Sequence, residues 1–587
     1  LSSLISELKN RLGTLDFEVA DKFYEGEWVN LTPFMPGDYK GRTWRYDPGQ
    51  RLIFSEPNLA QAIKARMRYV SLLALASFVK DPRSYPDVLQ KTFKFFKVKI
   101  KKGKSTIEEH LFNVLFGNTK VASIFDVGVE LRGTPKPWNV NVDSQAKMVD
   151  RYHALLMRSG KNARATPEEL KPIEPGTLFL KVSLFWKDHA RVWLARDELT
   201  ELETLLKTTL SVTMEVFGIG KATSRGFGRF YPRYDTESGI NTKTISPSEQ
   251  IGLLLKLWIN ISKKLGDSNE LKEFRNLKLV PSLSTAVAWL ECCDLSLMRL
   301  ASVNDPDEAI TKIALATLKG YWKTIRGKKL QEQGLVSHAK AKKIARESGT
   351  YYHTWTLGLP RKAKLSCTCF ESNPKGMIKG GKKSKARENY GYLIVKEQLE
   401  ENVCVKSHYC NGRKVRTSEG RRQSMFILFP YKDGQGLALA VLPLVSLDMW
   451  EYLVKGNKKG SGGGVLYHVG GHFVKVEQHK QNKKSMPCCN RHFVSIKKIL
   501  TEDYEIESPT ELVPNHHDYH ENAKLCRCGK DPAGIARPPS ASQLCENLKS
   551  PRTFKDLNDQ IYELVLKNTI CWLAEALNFE DKGGEHS

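Results

Sequence analysis

Phe217-Gly218-Ile219-Gly220-Lys221-Ala222-Thr223-Ser224-Arg225-Gly226-Phe227-Gly228-Arg229-Phe230 carries four glycines within eleven residues. So many residues free of a Cβ let the backbone fold tightly enough for its N–H groups to face a phosphate. Lys221, Arg225 and Arg229 add a cationic field, so Gly218, Gly220, Gly226 and Gly228 with these three cations form the first candidate anion site. A P-loop is excluded: it needs four residues between its first glycine and a Gly-Lys-Ser/Thr end, whereas one residue separates Gly218 from Gly220 and Ala222 follows the lysine. A dinucleotide fingerprint is excluded too, because these glycines follow a helical run instead of a strand that opens into a helix. A glycine-rich hairpin without a ligand is the plain alternative.

Working outward, Arg196 to Val216 repeats Leu199, Leu202, Leu205, Leu206 and Leu210 at helical spacing, and Asn58 to Phe78 does so with Leu59, Ile63, Met67, Val70, Leu73 and Ala74. Val121 to Leu131 and Leu178 to Trp186 read as strands. The order β, α, β, β, α, β predicts an α+β fold of the split βαβ, ferredoxin-like kind, the scaffold RNA-recognition modules use. Arg225-Gly226-Phe227-Gly228 matches the start of the ribonucleoprotein signature and departs from it at Arg229 and Phe230, so an aromatic base-stacking platform is half supported. Lys64, Arg66 and Arg68 sit mid-helix and are candidates for phosphate contacts, the arginines by bidentate pairs; a solvated helix face is the rival reading. In Lys91 to Lys104 cations mix with Phe93, Phe95 and Phe96, which suits RNA or, as an alternating strand, aromatics turned to the core and lysines to water.

The turn-rich stretch Tyr234 to Ser248 marks a boundary. The expected organisation is a first ferredoxin-like domain at 1–245, a second at 246–500 with helical insertions, and an acidic tail at 501–587 with a helix from Leu557 to Phe579 that docks on a partner or on the body. Within the second domain, helices are expected near Ile251, at Glu308 to Ile325 and at Ser337 to Glu347, and strands at Ser424 to Phe429 and Leu437 to Val445. The Gly/Lys-rich segments Lys375 to Arg387 and Lys455 to Gly471 read as loops. Arg361, Arg421 and Arg422 are the second-half counterpart of the basic helix.

The 587 residues are 41% hydrophobic and 27% charged, a folded composition too long for one core. Lys and Arg exceed Asp and Glu by 26, which makes a polyanion, nucleic acid foremost, the expected partner. The tail from Thr501 holds 9 Lys and Arg against 16 Asp and Glu, leaving +33 on the first 500 residues. No apolar stretch approaches the ~20 residues of a bilayer-spanning helix. The opening Leu-Ser-Ser-Leu-Ile-Ser-Glu-Leu lacks a secretory pattern, and a cytoplasmic, reducing location is expected; residue 1 is Leu, so the native start can lie upstream.

Metal and catalytic signals are weaker. Cys367-Thr-Cys369, Cys404-x3-His408-x-Cys410, Cys488-Cys489-x2-His492 and His516-His517-x2-His520-x5-Cys526-x-Cys528 are chemically suited to a structural zinc but lack paired CxxC spacing, and no other cofactor is indicated. His110 and His153 are candidate general bases for RNA cleavage. No nucleophile elbow, HExxH motif or acidic metal cluster accompanies them.

The Ser-Arg-Gly-Phe-Gly-Arg-Phe ending of the glycine loop resembles the G-loop of the RAMP superfamily of CRISPR-associated RNA-binding proteins. Further matches follow in order: Leu31-Thr32-Pro33-Phe34, Ile63-Lys64-Ala65-Arg66-Met67-Arg68-Tyr69, Leu115-Phe116-Gly117-Asn118-Thr119 with Ala122-Ser123, Leu357-Gly358-Leu359-Pro360-Arg361, and Arg421-Arg422-Gln423-Ser424-Met425-Phe426. This order, over most of residues 25 to 450, resembles the large two-domain RAMP subunit of type III-B (Cmr) effector complexes. The resemblance implies tandem RAMP domains and a non-catalytic subunit that binds crRNA and target RNA beside other RAMP and Cmr subunits, at the end holding the guide's 3′ region. Ala65 stands where the family often has Gly, and the length and acidic tail have no family counterpart. An RNA-cleaving or crRNA-processing RAMP subunit, and a general single-stranded RNA scaffold, are the alternatives.

Overall fold

The computed structural model describes residues 21–35, 56–102, 105–138, 172–220, 222–233, 246–265, 271–292, 299–317, 354–357, 361–367, 386–395, 424–433, 436–448, 465–469 and 493–495, with 569, 573 and 577. Strand β1 (Lys22–Asn30) leads to helices α1 (Glu56–Ala76) and α2 (Tyr85–Thr92), the hairpin β2 (Lys97–Lys102) and β3 (Ser105–His110), and helix α3 (Leu111–Phe116). Strands β4 (Phe125–Arg132) and β5 (Phe179–Trp186), helices α4 (Asp188–Trp193) and α5 (Arg196–Ser211), and strand β6 (Phe230–Pro232) follow. The main sheet is antiparallel in the order β4-β5-β1-β6. Without the hairpin and short helices, the run β1-α1-β4-β5-α5-β6 has the order and strand arrangement of a split βαβ unit.

The residue pattern causes this arrangement. On β5, Leu180, Val182, Leu184 and Trp186 are buried at every second position, the signature of a strand with one face on a core. Ile63, Met67, Val70, Leu73 and Ala74 form the facing stripe of α1, each with no exposed surface. Burial of one such aliphatic side chain contributes roughly 1.5–3 kcal/mol, so a stripe of this length holds the helix to the sheet. In the Lys91 to Lys104 run the alternating-strand reading holds at its centre: Val98 and Ile100 are buried, Lys99 and Lys101 are exposed, and Phe96 packs edge-on to Trp258 at 5.2 Å.

Helix α5 does not end in an α turn. It widens into a π-helical turn, Val212–Phe217, that closes with Gly218 N–H donating to Thr213 O at 2.7 Å, and the glycine loop starts there.

The second half opens on helix α6 (Pro247–Leu265), whose start carries a reciprocal capping box: Ser246 N–H donates to Glu249 Oε2 at 2.8 Å and Glu249 N–H to Ser246 Oγ at 3.3 Å. Helix α7 (Leu283–Cys292), strand β7 (Arg299–Val303) and helix α8 (Pro306–Thr317) follow, the last capped by Asp305. Strands β8 (Arg361–Cys367), β9 (Ala386–Val395), β10 (Phe426–Asp433), β11 (Gly436–Pro443), β12 (Val465–Val469) and β13 (Phe493–Ser495) complete the order. They form antiparallel sheets β10-β11-β7 and β13-β12-β9-β8. The run β7-α8-β10-β11 repeats the arrangement of β1-α1-β4-β5.

The loop reading of Lys455 to Gly471 is corrected: Val465–Val469 is strand β12, a short β-branched and aromatic run that the Gly460 to Gly464 tract beside it disguises. Within Lys375 to Arg387 only the last two residues are described, and they open β9. The expected helix at 337–347 and the boundary at 234–245 lie outside the described residues. Thr569, Leu573 and Leu577 are helical and buried, Leu573 and Leu577 belong to the main hydrophobic core, and Thr569 Oγ1 bonds Thr356 Oγ1 at 2.8 Å. This part of the acidic tail therefore packs on the body. Lys278, 1% exposed, donates from Nζ to Ala76 O at 2.8 Å and Ser77 O at 3.2 Å and closes the C-terminus of α1.

Candidate nucleic-acid interface

The glycine loop is built as two crossing legs clamped by the segment after β1. Ile219 N–H donates to Gly228 O at 2.9 Å, Gly228 N–H to Pro33 O at 3.0 Å, and Leu31 N–H to Arg229 O at 2.8 Å. Arg229 N–H donates to Thr32 Oγ1 at 3.0 Å. At Gly228, φ is +68° and a Cβ would strike Ile219 O, so a side chain there would force the legs apart. The Leu31-Thr32-Pro33-Phe34 motif and the loop, almost 200 residues apart in sequence, thus form one structure, with the Phe34 and Phe230 rings edge to face at 5.5 Å.

Much of the expected phosphate cradle faces inward. The N–H groups of Gly218, Ile219, Arg225, Gly226 and Gly228 donate to protein carbonyls at 2.7–3.2 Å. Among the described residues no acceptor accompanies the N–H groups of Ala222, Thr223 and Ser224, at the loop's tip. Arg229, expected to meet phosphate, has no exposed surface. Its guanidinium donates to Phe217 O, to Thr223 O at 2.8 Å and to Phe227 O at 3.4 Å, and it lies over the Phe429 ring at 5.5 Å. It pins the loop from inside, and burial, with the nearby Arg66 charge adding to it, lowers its pKa well below the usual guanidinium range.

Three other cations differ in availability. Arg66, half-buried, donates from Nη2 to Thr223 Oγ1 at 3.1 Å and lies over Tyr69, its pKa lowered by burial. Arg225 is half-buried in the loop and also lowered by burial. Arg68, two residues beyond Arg66 on the same helix, is exposed and lies 5.5 Å over Phe112. Lys64 is committed elsewhere: its Nζ donates to Phe125 O at 2.7 Å and pairs with Asp126 at 3.1 Å. Arg66 and Arg225 are therefore brought to the loop, and Lys64 is not. Among the described residues no carboxylate pairs with Arg66 or Arg229. Thr223, which receives bonds from both Arg66 and Arg229, was missed by the sequence reading although it stands inside the quoted stretch. Lys221, Arg421 and Arg422 lie outside the described residues, and Arg361 opens β8 opposite Tyr392 in the third sheet.

The open face of the main sheet sets the half-buried Phe179 and Phe185 among paired charges. Glu27 is paired by Arg132 at 2.6 Å, Glu130 by Arg132 at 3.1 Å, and Glu25 by Lys181 at 2.6 Å and by Lys22; these two lysines, Lys181 foremost, hold the Glu25 carboxyl down to about 2. His110 is no general base: its Nδ1 accepts from Phe112 N–H at 3.0 Å and its Nε2 bonds Thr92 Oγ1 at 3.0 Å, inside the core. His153 lies outside the described residues, as do the Cys/His clusters except Cys367 at the end of β8. Among the described residues no group of three or more His, Cys, Asp and Glu is placed to hold a metal, and no helix is long and apolar enough to cross a membrane.

No family model and no curated protein matches the sequence. Solved structures similar to this chain are Cmr1 from Pyrococcus furiosus, at 16% identity over 53% of this chain and 76% of that one, with a TM-score of 0.29. A chain of the type III-B Cmr-beta complex bound to cognate target RNA aligns at 13% identity over 72% and 94%, with a TM-score of 0.32. Cmr6 from Pyrococcus furiosus aligns at 15% identity over 36% and 97%, with a TM-score of 0.18. The chain is similar to Cmr proteins.

Proposed function

We propose that this chain is a non-catalytic RNA-binding subunit of a type III-B effector complex, built on two tandem ferredoxin-like units. In this reading it meets crRNA and target RNA at the end that holds the guide's 3′ region. The observation that carries the RNA reading is the glycine loop, where Arg66 and Arg225 flank Thr223 and Arg66 has no carboxylate partner among the described residues. A phosphate diester is the anion that supplies such a counter-charge along a chain. The net charge of +26 supports a polyanionic partner, and the ordered motifs from Leu31 to Phe426 support the effector complex.

The test is the affinity of the full chain for a labelled single-stranded RNA across a salt series, with Arg66→Ala and Arg225→Ala. Each lost phosphate contact is expected to lower the slope of log K against log salt by about 0.7 and to weaken binding alike for unrelated sequences. Unchanged slopes in both variants would remove the loop from the RNA site. Sequencing of the RNA and proteins that co-purify from the native host separates the effector subunit, with repeat-tagged small RNA and Cmr partners, from a general RNA scaffold with mixed cellular RNA.

A further inference from the structure

The glycine loop also touches the second half of the chain. Gly226 has φ +87°, and a Cβ there would lie 2.7 Å from Ile313 Cδ1, 3.2 Å from Ile310 Cδ1 and 3.5 Å from Pro430 Cδ. Arg225 forms a parallel bridge with Leu428 of β10, whose N–H donates to Ser224 O at 3.5 Å. Phe227 meets the edge of Trp138 at 6.2 Å, and the Trp138 indole N–H in turn donates to Asp307 of α8 at 2.8 Å. On the other side the loop is held by the first half, through Arg66 on Thr223 and the Leu31 to Phe34 clamp. Residues 223 to 227 thus form a short arc seated between α1 on one side and α8 with β10 on the other.

We propose that the second half of the chain sets the binding conformation of this loop, with Ile313 and Leu428 as positioning residues for RNA contacts that they do not themselves make. The proposal rests on the reading that the loop meets RNA. The physical reason is local. Arg225 lies one residue from Gly226, so a displacement of Gly226 from its seat on α8 moves the Arg225 guanidinium and draws Thr223 away from Arg66. The spacing of the two cations, and so their match to successive phosphates, depends on contacts made about 90 and 200 residues further along the chain. Arg229 ties the same arc to β10 through its position over Phe429, so the seat and the pin move together. Docking of the two halves and RNA affinity are then linked, each strengthening the other.

A double-mutant cycle on the full chain tests this, read as affinity for a labelled single-stranded RNA, with thermal unfolding of each variant as the folding control. Gly226→Ala is expected to weaken binding about tenfold, since φ +87° strains an alanine and the new methyl group meets Ile313. Ile313→Val, which removes the Cδ1 methyl, is expected to bind within about twofold of the parent, and the pair Gly226→Ala with Ile313→Val to recover part of the loss. Ile313→Ala empties the seat without altering the loop and is expected to weaken binding about fivefold while the chain stays folded, which keeps the test open if Gly226→Ala does not fold. Affinities unchanged in Gly226→Ala and Ile313→Ala, with only their unfolding temperatures lowered, would show a purely structural contact and overturn the proposal. Absence of RNA binding by the parent chain would instead overturn the RNA reading on which it rests.

Discussion

Arg229 shows how one residue can invert its sequence reading. It stands in a cationic, glycine-rich stretch, yet its donors serve carbonyls at positions 217, 223 and 227. Arg229→Met would take this donor from the buried carbonyls of Phe217 and Phe227, while Thr223 O keeps the Gly226 N–H; at about 1–3 kcal/mol for an unsatisfied group, a loss of about 2 kcal/mol or more is expected by chemical denaturation, with Lys recovering part of it. His110 is a second case. Burial pushes its pKa down to about 4, and its tautomer follows from its neighbours: Nδ1 accepts from a backbone N–H, so Nε2 carries the proton toward Thr92. A base whose folded pKa is depressed favours folding above its unfolded value, so this contribution is complete above about pH 6.5 and is lost as pH falls from there to about 4. The expected loss is up to about 3 kcal/mol. Stability measured against pH in the parent and in His110→Gln, which cannot titrate, should differ in slope within that window and run parallel above it. Glu215, on the π turn, has the opposite sign: burial pushes its carboxyl up to about 7, the Gln250 hydrogen bond opposing, so its contribution is lost as pH rises from about 4.5 to 7. The His110→Gln variant should expose that downward trend.

At the scale of elements, periodicity and caps carried most of the information. Ser246, Pro247 and Ser248 read as the end of a turn-rich boundary with a helix from near Ile251, but the helix starts at Pro247, where Ser246 and Glu249 form both reciprocal cap bonds. Ser246→Ala is expected to cost about 1 kcal/mol in denaturant unfolding. The spacing from Arg196 to Val216 reads as one helix, but the six residues after Ser211 form a π turn whose wider closure ends on Gly218. Amphipathic spacing cannot distinguish the two, since a single inserted residue alters the turn and leaves the apolar face nearly in place. Strand β12 was hidden for a different reason. Its five residues, Val-Leu-Tyr-His-Val, sit beside a glycine tract that dominates any local reading of composition.

Across the whole molecule, the core gathers residues from positions 28 to 577, including Leu573 and Leu577 from the acidic tail. Leu573, with no exposed surface, is expected to cost about 2–5 kcal/mol as Leu573→Ala, measured on the full chain. No change in stability would mean that the tail helix is dispensable to the body.

Charge and burial patterns are written residue by residue, so the sequence alone determined the α+β class, the order β, α, β, β, α, β of the first half, the place of the glycine loop and the expectation of a polyanionic partner. These depend on properties of neighbours within a few positions. Which cations remain available was decided only by tertiary structure. Arg66 turns toward Thr223, Lys64 toward Asp126, and Arg229 into the loop, although all three have the same sign and two share a helix. The difference lies in partners 62 to 157 positions away for Arg66 and Lys64 and in the chain crossing at residue 228 for Arg229. The direction in which a charged side chain points is fixed by acceptors that folding brings beside it, and local sequence does not contain their positions.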